Sequence, residues 1–250
     1  MPALGWKAWR ESRARFALSA AALAGLCLAL VVFQAELRRL IGATKPPATT
    51  YVGYLHIRLY ASVGCAVFWL IAIVLGLGGL ARERTHGTLG FTLALPVPRS
   101  HHAIARAAVG VLELAALALV PVVVVPAASW LVGERYPWSQ AVGFAALWLG
   151  VGSVGFAVSF AISVIVRSDY VALAVAVLTM RLVPSAVALI PGLEGWRPLD
   201  VMSGRGQSYF DPATAMLTCV PWPVAAVALV AACALITIAV QLARQERFAG

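Results

Sequence analysis

The sequence predicts an all-α integral membrane protein of six transmembrane helices, organised as one membrane domain over residues 1–250. Two observations predict it. Hydrophobic residues make up 62% of the chain and charged residues only 12%, with a mean hydropathy of +0.89. A soluble domain carries about 25% charged residues, so this chain has too little polar surface to cover a water-soluble globule. The second observation is six apolar runs, at 16–35, 60–81, 103–132, 141–166, 170–191 and 220–242. Each is close to the roughly 20 residues that a helix needs to cross a bilayer core of about 30 Å. Together they take up well over half of the chain and leave no room for a soluble catalytic domain.

The first run follows a basic leader of Lys7, Arg10, Arg13 and Arg15. Its length exceeds the roughly 7–15 residue core of a signal peptide, and five further runs follow, so a retained first span is predicted. Within residues 4–15, Trp6 and Trp9 stand three apart on one helical face among cations. That pattern predicts an interfacial helix, with indoles at headgroup depth and cations toward anionic membrane lipid.

Orientation follows from the basic residues near span ends. With both termini cytoplasmic, eleven of the nineteen lysines and arginines fall on the inner side, four of them ahead of the first span. The net charge of +9 is thereby read as membrane topology. Apart from this interfacial segment, nothing combines a basic surface with interleaved aromatics outside the bilayer, so no nucleic-acid partner is expected. Cys27, Cys65, Cys219 and Cys233 form no C-x-x-C pair, and no metal or redox site is expected of them.

Between the second and third runs, residues 82–99 form a short, charged, proline-terminated island. Charges alternate there with Thr88, Leu89, Phe91, Leu93 and Leu95, which predicts a helix on the membrane surface, offered to a cytoplasmic partner. In the third run, Pro121 and Pro126 remove intrahelical hydrogen bonds and permit kinks, as does Pro184 in the fifth. His101 and His102 project about 100° apart on a helix, poor geometry for one metal ion, and read as interfacial caps.

Glu113 lies in the third run and Arg181 in the fifth. Either alone would cost roughly 2.5–3.5 kcal/mol to insert. Their depths differ by only about 6 Å at 1.5 Å per residue, which an arginine can bridge. They are predicted to pair, either as a buried ion pair or along a polar path for a solute. In the fourth run, Gly150-Val-Gly-Ser-Val-Gly155 fits G-x-G-x-x-G, but it sits mid-span rather than between a strand and a helix. Gly155, Ser159 and Ser163, spaced every four residues, predict instead a face that lets another helix approach closely. Residues 192–219 form the long external loop, where Trp196, Tyr209 and Phe210 mix with glycines. That composition predicts interface seating or partial re-entry.

The island resembles the signature of the type-2 ATP-binding-cassette (ABC-2) exporter permeases, through Glu83, Arg84, Gly87, Thr88, Leu89, Pro96 and Arg99. Gly90 stands at a position that is often acidic in that family, and Pro98 replaces a common Ser or Thr. The resemblance implies that residues 82–99 are a cytoplasmic coupling helix seated on a separate ATPase subunit, and that residues 4–15 are the elbow helix. It implies two permease copies (identical or paralogous) with two ATPases, outward transport, and location in the cytoplasmic membrane. This chain has no G-x-x-x-x-G-K-[ST] loop, so no cofactor is expected on it, and ATP and Mg belong to the ATPase. No enzymatic role of its own is expected. The alternative is a secondary transporter that uses Glu113 and Arg181 for ion coupling. Its usual mark, paired broken helices in two related halves, is missing from the sequence, which shows no internal repeat.

Overall fold

The computed structural model describes residues 2–40, 49–77, 99–166 and 197–245, with helical positions at 171, 174–175 and 177–178. Helix α1 runs from Pro2 to Val32 as one 31-residue element. No glycine or proline lies between Trp6 and Ala24, so nothing stops the helix at the expected junction of residues 15 and 16. The interfacial segment and the first span are therefore continuous, and the separate N-terminal element expected from the sequence is not distinct. At 1.5 Å per residue the helix is roughly 46 Å long, which exceeds a bilayer core and leaves its basic, tryptophan-bearing end in surplus. A turn at Phe33 leads into α2 (Gln34–Leu40).

The second membrane-length element begins earlier than its apolar run suggests. Thr50 caps α3 (Tyr51–Leu55), its hydroxyl accepting from the Gly53 N–H at 3.1 Å. A π-helical turn, His56–Tyr60, follows, closed by the Ala61 N–H donating to the His56 carbonyl at 2.8 Å. Helix α4 (Val63–Leu77) completes the element. His56 and Arg58 break the hydropathy of this stretch, which is why the sequence places its start near residue 60.

Helix α5 (Arg99–Leu131) continues through both Pro121 and Pro126. It closes where the Ser129 carbonyl accepts from both Val132 and Glu134, beside Gly133 at φ +74°. Helix α6 (Trp138–Ile165) follows and ends at Val166, whose backbone is extended. After the residues that are not described come α7 (Pro198–Ser203) and a hairpin of β1 (Phe210–Asp211) and β2 (Met216–Leu217). The strands pair antiparallel with Phe210 opposite Leu217. Helix α8 (Trp222–Gln245) ends the described chain.

Among the described residues, five helical stretches are long and apolar enough to cross a membrane: Leu4–Val32, Tyr51–Leu77, His101–Leu131, Trp138–Val164 and Trp222–Leu242. The expected span at 170–191 falls almost wholly outside the described residues, so the sixth crossing remains an expectation from the sequence. Helix α6 is the hub, packing against α4, α5, α7 and α8. Its most apolar stretch is 72% buried, against 22% for α1 and for α8, which lie at the perimeter.

Small residues on α6 permit this. A Cβ placed on Gly150 would lie 2.8 Å from the Cα of Ala225 in α8, and one on Gly152 would lie 2.6 Å from the Phe68 ring in α4. One on Gly76 would lie 2.5 Å from the Phe156 carbonyl oxygen and 2.8 Å from the Ser159 Cβ. Helices in lipid gain no hydrophobic drive from meeting each other, so close backbone approach is a main source of their association.

Candidate functional site

Helices α1 and α5 lie alongside each other in the same sense, with Leu4 and Lys7 near His102 and Phe16 near Ala116. Arg106 and Glu113, seven residues apart on α5, both turn toward α1. The Arg106 guanidinium donates to Glu11 at 2.7 Å, and Lys7 approaches the other Glu11 oxygen at 3.8 Å. Two turns further along α5, the Glu113 carboxylate accepts from the Ser12 hydroxyl and also faces Arg15. Glu113 is buried. A charge buried in an apolar setting needs such partners, and α1 supplies them. Gly110, between Arg106 and Glu113, admits the Phe156 ring of α6, which a Cβ would meet at 2.5 Å.

Glu11, Ser12, Arg15, Arg106, Gly110 and Glu113, with Gly76 of α4, line a crevice of about 40 Å³. A single water needs roughly 10–15 Å³ of such space, so the crevice holds a few waters and no sizeable solute. Its chemistry is that of a joint: ion pairs and hydrogen bonds between α1 and α5, at the point where α4 and α6 also meet.

A second polar region caps the opposite ends of these helices. His56 Nε2 lies 2.8 Å from the Ser203 carbonyl, which fixes the proton on that nitrogen in the neutral ring. The His56 ring packs tilted against Phe210, with centroids 4.5 Å apart, and lies 5.5 Å from Phe144. Gln140 of α6 grips the hairpin twice, donating to the Leu217 carbonyl at 2.9 Å and accepting from its N–H at 2.7 Å. Burial pushes the Tyr209 phenol up to about 12 and raises that of Tyr136 as well. Asp211 closes the hairpin turn by accepting from the Thr214 hydroxyl at 2.7 Å and the Ala213 N–H at 2.9 Å, which lowers its carboxyl below the usual range. Residues 197–219 are thus a folded cap.

The residues singled out from sequence fare as follows. Glu83, Arg84, Gly87, Thr88, Leu89 and Pro96 lie outside the described residues, and Arg99 is the first residue of α5. Arg181 also lies outside them, while Glu113 is engaged by α1. Gly155, Ser159 and Ser163 are buried on α6, with the Ser159 hydroxyl donating to the Gly155 carbonyl at 2.9 Å. Sequence reasoning missed Glu11 and Ser12. The available signal was a lone acid four residues after Lys7 in an otherwise basic leader. It also missed the gripping role of Gln140.

A family model described as "ABC-2 family transporter protein" matches residues 47–243. Comparison with curated proteins finds no match.

Proposed function

The chain belongs to the ABC-2 transporter family, whose members are membrane permeases of ABC transporters, and on that premise we propose that it is the permease half of an ATP-driven exporter. Hydrolysis belongs to a separate ATPase subunit, present in two copies beside two permease chains, with ATP and Mg held there. Residues 82–99 are the coupling helix, seated on the ATPase at the cytoplasmic face of the inner membrane, and both termini of the permease share that side.

The observation that carries this reading is the joint between α1 and α5. Helix α5 starts at Arg99, where the island ends, and within its first four turns it is tied to α1 through Arg106–Glu11 and Glu113–Ser12. Helix α4 is held against α6 at Gly76, close to where the island begins. A push delivered to residues 82–99 therefore enters two helices that are already locked to their neighbours, and moves the bundle as a unit. The small volume of the crevice suits transmission better than passage of a solute. The partners that α1 gives Glu113 likewise favour a binding role inside the bundle over ion coupling.

The test is affinity purification of the chain from its native membrane, alongside Glu83→Ala and Gly87→Pro variants. Recovery of a P-loop ATPase with the parent chain and its loss from the variants is the expected result. A folded parent chain that brings down no ATPase would refute the reading and favour the ion-coupled carrier.

A further inference from the structure

We infer that the groove between α1 and α5 on the outer side of the joint is a binding site for one anionic phospholipid. The groove measures about 470 Å³ and is walled by Trp6, Trp9, Phe16, Leu112 and Ala116, with Glu113 at its floor. That volume falls in the roughly 300–1,000 Å³ range of ligand pockets. Its lining is almost wholly apolar, and Leu112, on its far wall, is 69% exposed, so an acyl chain laid along it would cover surface that the described residues leave open.

Charge at the rim selects the headgroup. Arg13 stands four residues after Trp9, and Arg10 four after Trp6. Residues four apart share a helical face, so the two arginines continue the face that carries the indoles, beyond the residues that line the groove itself. Both arginines are exposed, and neither has a partner among the described residues. The other cations of this helix differ: Lys7 pairs with Glu11, and Arg15 faces Glu113. Two guanidiniums without partners among the described residues, on the same helical face as an aromatic groove and on the surplus end of a membrane-length helix, match a phosphate with its chain running inward past Phe16. The bound chain would shield the Glu113–Ser12 contact from water and brace α1 against α5. The lipid thus becomes part of the joint.

The proposal rests on the membrane-spanning reading but requires no ATPase. The full chain is reconstituted in phosphatidylcholine vesicles containing a minor fraction of either brominated phosphatidylglycerol or brominated phosphatidylcholine, and tryptophan quenching is compared. A Trp6→Phe/Trp9→Phe variant subtracts the signal of the other six tryptophans. Stronger quenching of the Trp6/Trp9 component by the anionic lipid, corresponding to a preference of roughly tenfold or more, is expected, with its loss in Arg10→Gln/Arg13→Gln. Equal quenching by the two lipids, or a preference that survives the double arginine variant, overturns the site. Release of the chain from vesicles by alkaline carbonate would instead overturn the membrane-spanning premise.

Discussion

Gly76→Ala is the substitution with the most legible cost. The new methyl would stand 2.5 Å from the carbonyl oxygen of Phe156, 2.8 Å from the Ser159 Cβ and 3.1 Å from the Phe160 N. Two of these atoms are backbone, so no rotamer change relieves the contact. Restoring an ordinary separation near 3.4 Å requires α4 and α6 to part by roughly 1 Å, and overpacking of this kind costs about 1–3 kcal/mol. For a chain of this size, about 2–4 °C of melting temperature is lost per kcal/mol. The apparent melting temperature in detergent is therefore expected to fall by roughly 2–12 °C. Gly25→Ala is the control, because nothing lies within 4 Å of its added methyl and alanine is the better helix former by about 1 kcal/mol. Thermal unfolding of both variants, followed by fluorescence, is the assay. A Gly76→Ala chain that melts with or above Gly25→Ala would refute the close packing of α4 on α6. It would also remove one of the two anchors assigned to the coupling segment.

Three further outcomes are expected. Arg106→Gln should leave the ATPase bound but weaken coupling, because the partly exposed pair contributes only about 0.5–1 kcal/mol to stability while tying α1 to α5; partial rescue by Arg106→Glu with Glu11→Arg, read as transport-linked hydrolysis, checks the pairing. Gln140→Leu strips both contacts to Leu217 and should cost about 1–3 kcal/mol, seen as faster proteolysis within residues 204–218 and little change elsewhere. The lowered carboxyl of Asp211 gives the hairpin turn a contribution that is present above the unfolded-state value and lost as pH falls through the folded one. The protection of the Ala213 amide, its exchange rate relative to the intrinsic rate at the same pH, should accordingly fall on acidification in the parent chain, and Asp211→Asn should flatten that dependence.

Much of the fold was legible because lipid imposes one simple demand: every backbone group must be satisfied within the span, so apolar length reads directly as helix. The runs at 103–132, 141–166 and 220–242 correspond within a few residues to α5, α6 and α8. Hydropathy failed where polar residues are buried by tertiary contact. His56 interrupts its apolar run yet is covered by Phe210 and Ser203 from a segment more than 140 residues away. The Gly150–Gly155 motif sits mid-span and does not read as a nucleotide loop, and sequence spacing marks only Gly155, Ser159 and Ser163 for close helix approach. Gly150 and Gly152 themselves meet α8 and α4, because a small residue serves whichever neighbour the topology brings to it. The joint was half visible: Glu113 was conspicuous as a lone carboxylate in a span, whereas its partner Ser12 looked like one more polar residue in a charged leader.

The π-helical turn at His56–Tyr60 acts as a phase slip in an otherwise continuous rod. An α-helix advances 100° and 1.5 Å per residue, and the extra residue in this turn resets the azimuth of everything before it relative to α4. Deleting one residue between His56 and Tyr60 would leave an acceptable α-helix with Tyr51 and Tyr54 rotated off their partners, Ser129 and the Leu30 carbonyl. Gly64 belongs to the same slip, since a Cβ there would meet the Leu59 carbonyl oxygen at 2.5 Å. The parts of this rod before and after the turn can therefore change sequence independently while the length of the turn is kept, so a single-residue gap here is a larger structural event than many substitutions on either side.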